Sequence, residues 1–189
     1  MLQSVLDEAG LSLSQIDAVA FGRGPGAFTG VRLSVSVAQG IALGADLPVV
    51  AVSTLAALAQ RVVRETETDS VVPVIDARMN EVYWGLYRRG QDGLVVLSGQ
   101  ERVGSAADVV LPDDGRWFGC GSGWDTYHET LCRAHQACEQ HWQPECFPHA
   151  QDIALLGRKD YQQGAYTSPE AATPVYLRNK VIAGHTPRQ

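Results

Sequence analysis

Ile16-Asp17-Ala18-Val19-Ala20-Phe21-Gly22-Arg23-Gly24-Pro25-Gly26-Ala27-Phe28-Thr29-Gly30-Val31-Arg32 runs from a short apolar segment through a glycine-rich turn into a long stretch without proline. The apolar part, 17–22, reads as a buried strand ended by a glycine turn. Residues 23–28 read as a loop and 29–45 (TGVRLSVSVAQGIALGA) as a helix. Downstream, 48–52 (PVVAV) is a second buried strand, and Ser53 is placed to cap a helix over 54–64. Strand, helix, strand, helix in this order predicts parallel pairing with right-handed crossovers. Upstream, Leu2, Val5, Leu6 and Ala9 share one helical face, and Gly10 stops that helix.

The pattern changes after the polar run 65–70 (ETETDS), which marks a border between a first lobe, 1–68, and a second, 69–189. Residues 71–77, 81–88 and 94–97 read as strands of an antiparallel meander turned by 90–93 (GQDG). A short helix is expected within 105–111, a strand at 117–120, and a helix over 124–140 broken by 144–148. An amphipathic helix covers 150–163 and ends at Gly164. From Ser168 onward the chain reads as an extended tail, with Val175-Tyr176-Leu177 as its packing part.

The 189 residues are 45% hydrophobic and 19% charged, an ordinary globular composition. Fifteen basic against 21 acidic residues give a net charge of −6, which argues against a chain that grips nucleic acid by itself. The start, MLQSVLDEAG, has no signal-peptide character, and Arg23, Arg32 and Asp46 interrupt the most apolar region, so a cytoplasmic, non-membrane protein is expected. Four cysteines then read as free thiols. Cys132, His135, Cys138 and His141 step by three residues. That spacing drifts around a helix and lacks the tight pairs of a zinc site, so no metal is assigned.

The glycine turn joins a strand to a helix N-terminus, where free N–H groups and the helix dipole favour an anion. Gly24, Gly26, Thr29 and Gly30 are the candidate anion- or nucleotide-binding residues, with Asp76 at a strand end as a further polar candidate. The competing reading is a rigid turn: no Gly-Lys-Ser/Thr follows, and Pro25 removes a donor. Helix 29–45 carries Ser36, Gly40 and Gly44 on one face and has almost no polar side. It is covered on both sides by its own domain, or on one side by a partner chain. No nucleophile–base motif of a protease or esterase is present, so no catalytic residue is assigned.

The stretch 16–32, together with Ile75-Asp76-Ala77-Arg78-Met79-Asn80-Glu81-Val82-Tyr83-Trp84 and Pro174-Val175-Tyr176-Leu177-Arg178, resembles the signatures of the bacterial TsaB (YeaZ) family in order and spacing. The resemblance implies an α/β fold of the actin-like ATPase/sugar-kinase (ASKHA) type, two lobes with mixed sheets flanked by helices. It implies a non-catalytic dimerisation or scaffold subunit, without a cofactor of its own, in forming N6-threonylcarbamoyladenosine at tRNA position 37. The implied partners are the paralogue TsaD and the ATPase TsaE, with homodimerisation as a further state and tRNA contacted only indirectly. The implied interface is Leu2, Val5, Leu6 and Ala9 on the first helix and Val31, Arg32, Ser36, Gly40 and Gly44 on the second. Family members carry strands and a phosphate turn ahead of the position of Met1. The first lobe is therefore read as N-terminally incomplete, with strand edges at 19–21 and 49–52 left unpaired. The alternative is an ATPase or phosphotransferase of the same fold that binds ATP at the glycine turn.

Overall fold

The computed structural model describes residues 2–134 and 141–178. Helix α1 (Leu2–Ala9) stops at Gly10, whose φ of +65° suits glycine. Strand β1 (Val19–Gly22) leads through the glycine turn to α2 (Phe28–Ala45), then β2 (Val49–Val52) and α3 (Thr54–Glu65). Strands β1 and β2 pair in parallel, Val19 opposite Val49 through Gly22 opposite Val52, as the element order requires. Ser53 caps α3: its Oγ accepts from the N–H groups of Leu55 and Ala56.

The second half forms a mixed sheet around β3 (Ser70–Arg78). Strands β4 (Glu81–Trp84) and β5 (Tyr87–Arg89) both run antiparallel to it, Val74 opposite Trp84 and Val71 opposite Tyr87 in the same register, which shifts only between Asp76 and Arg78 next to the turn. The single strand expected over 81–88 is thus interrupted at Gly85-Leu86. The interruption lets β6 (Val95–Leu97) pair with β5 and β7 (Arg102–Ser105) pair with β4. Strand β7 was not anticipated, because RVGS has neither alternation nor a β-rich run. On the other edge of β3 lie β8 (Phe118–Cys120) and β9 (Trp142–Gln143), both parallel, so the sheet is more than a meander. Only one 3-10 turn, Ala106–Asp108, forms within 105–111. Helix α4 (Ser122–Ala134) follows β8, and α5 (Ala150–Gln162) precedes Gly164, with φ +78°.

Helix α5 folds back onto the first sheet. Side chains of alternating parity on β1 and β2 face opposite sides. Phe21 and Val49 pack with Val35, Ala38 and Ala42 of α2. Val50 and Val52 join Leu55, Leu58 and Val62 of α3, Leu156 of α5, and Val71, Tyr87 and Val95 of the second sheet. That cluster is one core shared across the border at 68/69, and α3 lies between the two sheets. Gly157 is where α5 comes closest: a Cβ there would sit 2.6 Å from Ala20 Cβ. Arg64 of α3 clamps α5 through Asp152, whose side chain is fully buried, at 2.8 and 3.0 Å.

Among the described residues β1 pairs on one edge only. Its other edge faces a mainly apolar groove of about 1090 Å³ between α2 and α5. The outer edge of β2 is met by a single bridge to Thr167.

Candidate functional site

The three quoted stretches meet in space. The tail crosses the end of β1, where the Val175 N–H donates to the Arg23 carbonyl at 2.9 Å. Next along the tail, Tyr176 reaches α2: Arg32 Nε donates to its hydroxyl at 2.8 Å. The Arg32 guanidinium lies 3.7 Å from the Phe28 ring centre, and the two rings are 6.2 Å apart. Arg178 then grips the β3–β4 turn. Its guanidinium donates to the carbonyls of Ala77 and Arg78 and pairs with the Glu81 carboxylate. That turn holds Arg78, Met79 and Asn80 all at positive φ, and displays Met79 with 78% of its surface exposed.

Within the glycine turn, a cis peptide joins Gly24 to Pro25. Gly24 has φ +99°, and a Cβ there would lie 3.1 Å from the Val175 carbonyl and 3.3 Å from Val31. Its own carbonyl accepts from Thr54 N–H at 2.9 Å. The close approach that this glycine permits is therefore taken up by the tail and α3. Gly26 lies against Val31, while Thr29 and Gly30 are exposed on the first turn of α2, whose N-cap, Ala27, offers no side-chain acceptor. Asp76 accepts from the Arg78 N–H at 2.8 Å and pairs with the Arg78 guanidinium at 3.2 Å, the turn-capping role its position suggests.

A buried polar cluster ties the same turn to the second sheet. Arg23 lies 3.7 Å from the Glu101 carboxylate, which also accepts from the hydroxyls of Tyr87, at 2.6 Å, and Ser53. Burial pushes the Tyr87 phenol far above its ordinary value of 10.0, and the neighbouring Glu101 charge adds to the rise. A pKa raised on folding stabilises the chain fully below pH 10 and ceases to do so as pH climbs towards the folded value. Urea unfolding of wild type and Tyr87→Phe between pH 8 and 11.5 measures this. The stability difference should shift against wild type by about 1.4 kcal/mol per pH unit above pH 10. A difference constant over that range would contradict the coupling.

The interface candidates divide. Leu2, Val5, Ala9, Arg32, Ser36, Gly40 and Gly44 are exposed. Leu6 and Val31 are not, and both are corrected here. Leu6 is the one buried residue of α1, and Val31 belongs to the inward stripe Val31, Val35, Ala38 and Ala42 of α2. The outward side of α2 also carries Leu33, Val37 and Leu43, each more than half exposed. Among the described residues, only the inward stripe of α2 is covered.

Sequence reasoning missed Gly119-Cys120-Gly121-Ser122-Gly123, a second glycine-rich strand-to-helix turn. Its signal was the alternating glycines, and the structure uses them for packing. A Cβ on Gly119 would sit 2.4 Å from the Trp124 ring, and one on Gly123 would sit 2.5 Å from Val74. Cys132 and His128 lie 3.3 Å apart on α4, with the thiol buried in the second core. Among the described residues, Cys120 and Cys146 are free thiols. No group of three metal-ligating side chains occurs among the described residues, and His135 and Cys138 lie outside them. No described helix is long and apolar enough to cross a membrane.

The family model for TsaD, tRNA N6-adenosine threonylcarbamoyltransferase, matches residues 1–181. The tRNA threonylcarbamoyladenosine biosynthesis protein TsaB of Escherichia coli K12 is 37% identical over 186 residues, 96% of this chain and 79% of that protein. The TsaB protein of Haemophilus influenzae is 36% identical over 190 residues, covering 96% and 78%. Among solved structures, a Pseudomonas aeruginosa protein described as similar to the peptidase YEAZ superposes with a TM-score of 0.86 at 45% identity, covering 94% of this chain and 81% of that one. YeaZ from the same organism gives 0.84 at 45% identity, covering 94% and 82%.

Proposed function

This chain belongs to the TsaB (YeaZ) family, whose curated members are tRNA threonylcarbamoyladenosine biosynthesis proteins, and from that premise we propose that it is a non-catalytic docking subunit. In this reading it supports a TsaD partner in making N6-threonylcarbamoyladenosine on tRNA, in the cytoplasm, with TsaE joining the assembly. The observation that carries the reading is the outward side of α2. Leu33, Val37 and Leu43 are exposed, and Gly40 and Gly44 have open space where a Cβ would stand. Glycine inside a helix costs roughly 1 kcal/mol against alanine. Nothing among the described residues requires it at these two positions. A flat surface between aliphatic side chains suits a closely packed partner helix, since the side chains at the contact set the interaxial distance. Leu2 and Val5 of α1 add exposed apolar surface.

A peptidase role draws no support from the described side chains. The Cys132 thiol is buried in the second core, and the part-buried His128 ring beside it leans on Trp142. The experiment is light scattering on a sizing column, of the chain alone and mixed with its cognate TsaD. A defined heteromer is expected, and threonylcarbamoyl transfer by the reconstituted mixture should depend on this chain. Separate elution together with undiminished transfer in its absence would refute the reading.

A further inference from the structure

The first turn of α2, the tail and the β3–β4 turn together make a surface that the helical face does not include. Phe28, Tyr176 and Met79 are large apolar side chains 58%, 47% and 78% exposed. Phe28 and Tyr176 flank Arg32, which is held by a ring face on one side and a hydroxyl on the other, while Met79 lies beside Arg178. Tyr176 and Arg178, two residues apart in the tail, join the two ends of the surface, one bonded to Arg32 and the other to the β3–β4 turn. Exposed aromatic, Met and Arg side chains are the composition of protein interface centres.

The charges select the partner's chemistry. Arg78 is paired with Asp76 and Arg178 with Glu81. Arg32 has no carboxylate partner among the described residues. Its planar fork is already oriented, so little side-chain freedom is lost when it meets a carboxylate. One uncompensated cation at this surface, on a chain of net charge −6, is a poor electrostatic footprint for RNA, where affinity grows with the number of phosphates neutralised.

We propose that Arg32, clamped between Phe28 and Tyr176, is the anchor of the docking surface and takes a carboxylate side chain of the partner subunit, with the two rings, and Met79 beside Arg178, making apolar contacts around that ion pair. This rests on the docking function proposed above, because Phe28 and Arg32 open the helix whose outward side faces that partner.

The test is calorimetric titration of cognate TsaD into wild type, Arg32→Met, Arg32→Glu and Tyr176→Phe at two salt concentrations. Arg32→Met should weaken binding by roughly 30-fold or more, as loss of an interface hot spot does. Arg32→Glu should weaken it further, and Tyr176→Phe, which removes only the hydroxyl holding Arg32, should do so by a smaller factor. The salt dependence seen in wild type should flatten in Arg32→Met. Unchanged melting temperatures would show that the variants are folded. Tight wild-type binding with Arg32→Met within twofold of it would overturn the anchor and leave the docking function standing. No wild-type binding would remove both. Unchanged TsaD affinity with loss of a tRNA gel shift in Arg32→Met would reassign the surface to nucleic acid.

Discussion

Gly121→Ala is expected to destabilise the chain by about 2–6 kcal/mol, the sum of left-handed backbone strain and overpacking of a filled site. Gly121 holds φ +95° between β8 and α4. A Cβ there would meet the Val74 carbonyl oxygen at 2.5 Å and Leu58 Cδ1 at 3.3 Å. The carbonyl belongs to β3, which is paired on both edges, so the backbone cannot retreat without disturbing β4 or β8. Leu58 sits in the shared core and has no free side to move into. Set against a typical total of about 5–15 kcal/mol, this approaches global unfolding. Gly93→Ala is the control. It has φ +76° with nothing within 4 Å of the added Cβ, so it isolates the conformational cost. Urea titration of both variants measures the difference. Equal midpoints would mean that close approach to β3 contributes nothing.

That glycine also shows where the sequence was readable. The strand–helix–strand–helix order of residues 17–65 follows from local chemistry alone: apolar runs too short for helices, a serine cap, a glycine stop. Each observed element starts or ends within two residues of its expected place. Gly10 and Gly164 fell correctly because positive φ at a helix end is a local requirement. Strands β7 and β9 escaped because they are short and form only where a neighbour supplies an edge. The return of α5 onto the first sheet escaped for a related reason. An amphipathic stripe shows that a helix is covered, not by what, so the sequence does not show that Gly157 stands over Ala20.

The candidate site was half legible. The motifs were visible one by one, as was the excess of small and apolar residues on α2. Their convergence depends on the tail lying across Arg23, a contact between residues 152 positions apart that no periodicity encodes. A helix apolar all round does not reveal which stripe turns inward, as that of Val31 does, and Leu6 is the one member of the apolar face of α1 that the fold buries.

Gly40 gives the largest expected effect on association. In the free chain a Cβ at Gly40 meets nothing within 4 Å, so the position is open in the folded state. Gly40→Ala should therefore stabilise the isolated chain by about 0.5–1 kcal/mol, through relief of glycine's backbone entropy. At this chain length that raises the melting temperature by roughly 2–4 °C. Gly40→Trp should fold as well as wild type, because the indole projects into solvent. Binding should respond in the opposite sense. Against a partner helix, alanine adds one methyl group to the contact, whereas tryptophan fills the space between the two axes and prevents their packing at the usual 8–10 Å or so. The expected loss for Gly40→Trp is about 100-fold or more, visible as failure to co-elute with TsaD while the thermal melt stays cooperative. A glycine inside a helix, against its own propensity and with nothing among the described residues within 4 Å of the would-be Cβ, suits a closely packed partner helix. If Gly40→Trp binds TsaD like wild type, the outward face of α2 is not the interface, and the exposed Leu33 and Val37 need another occupant.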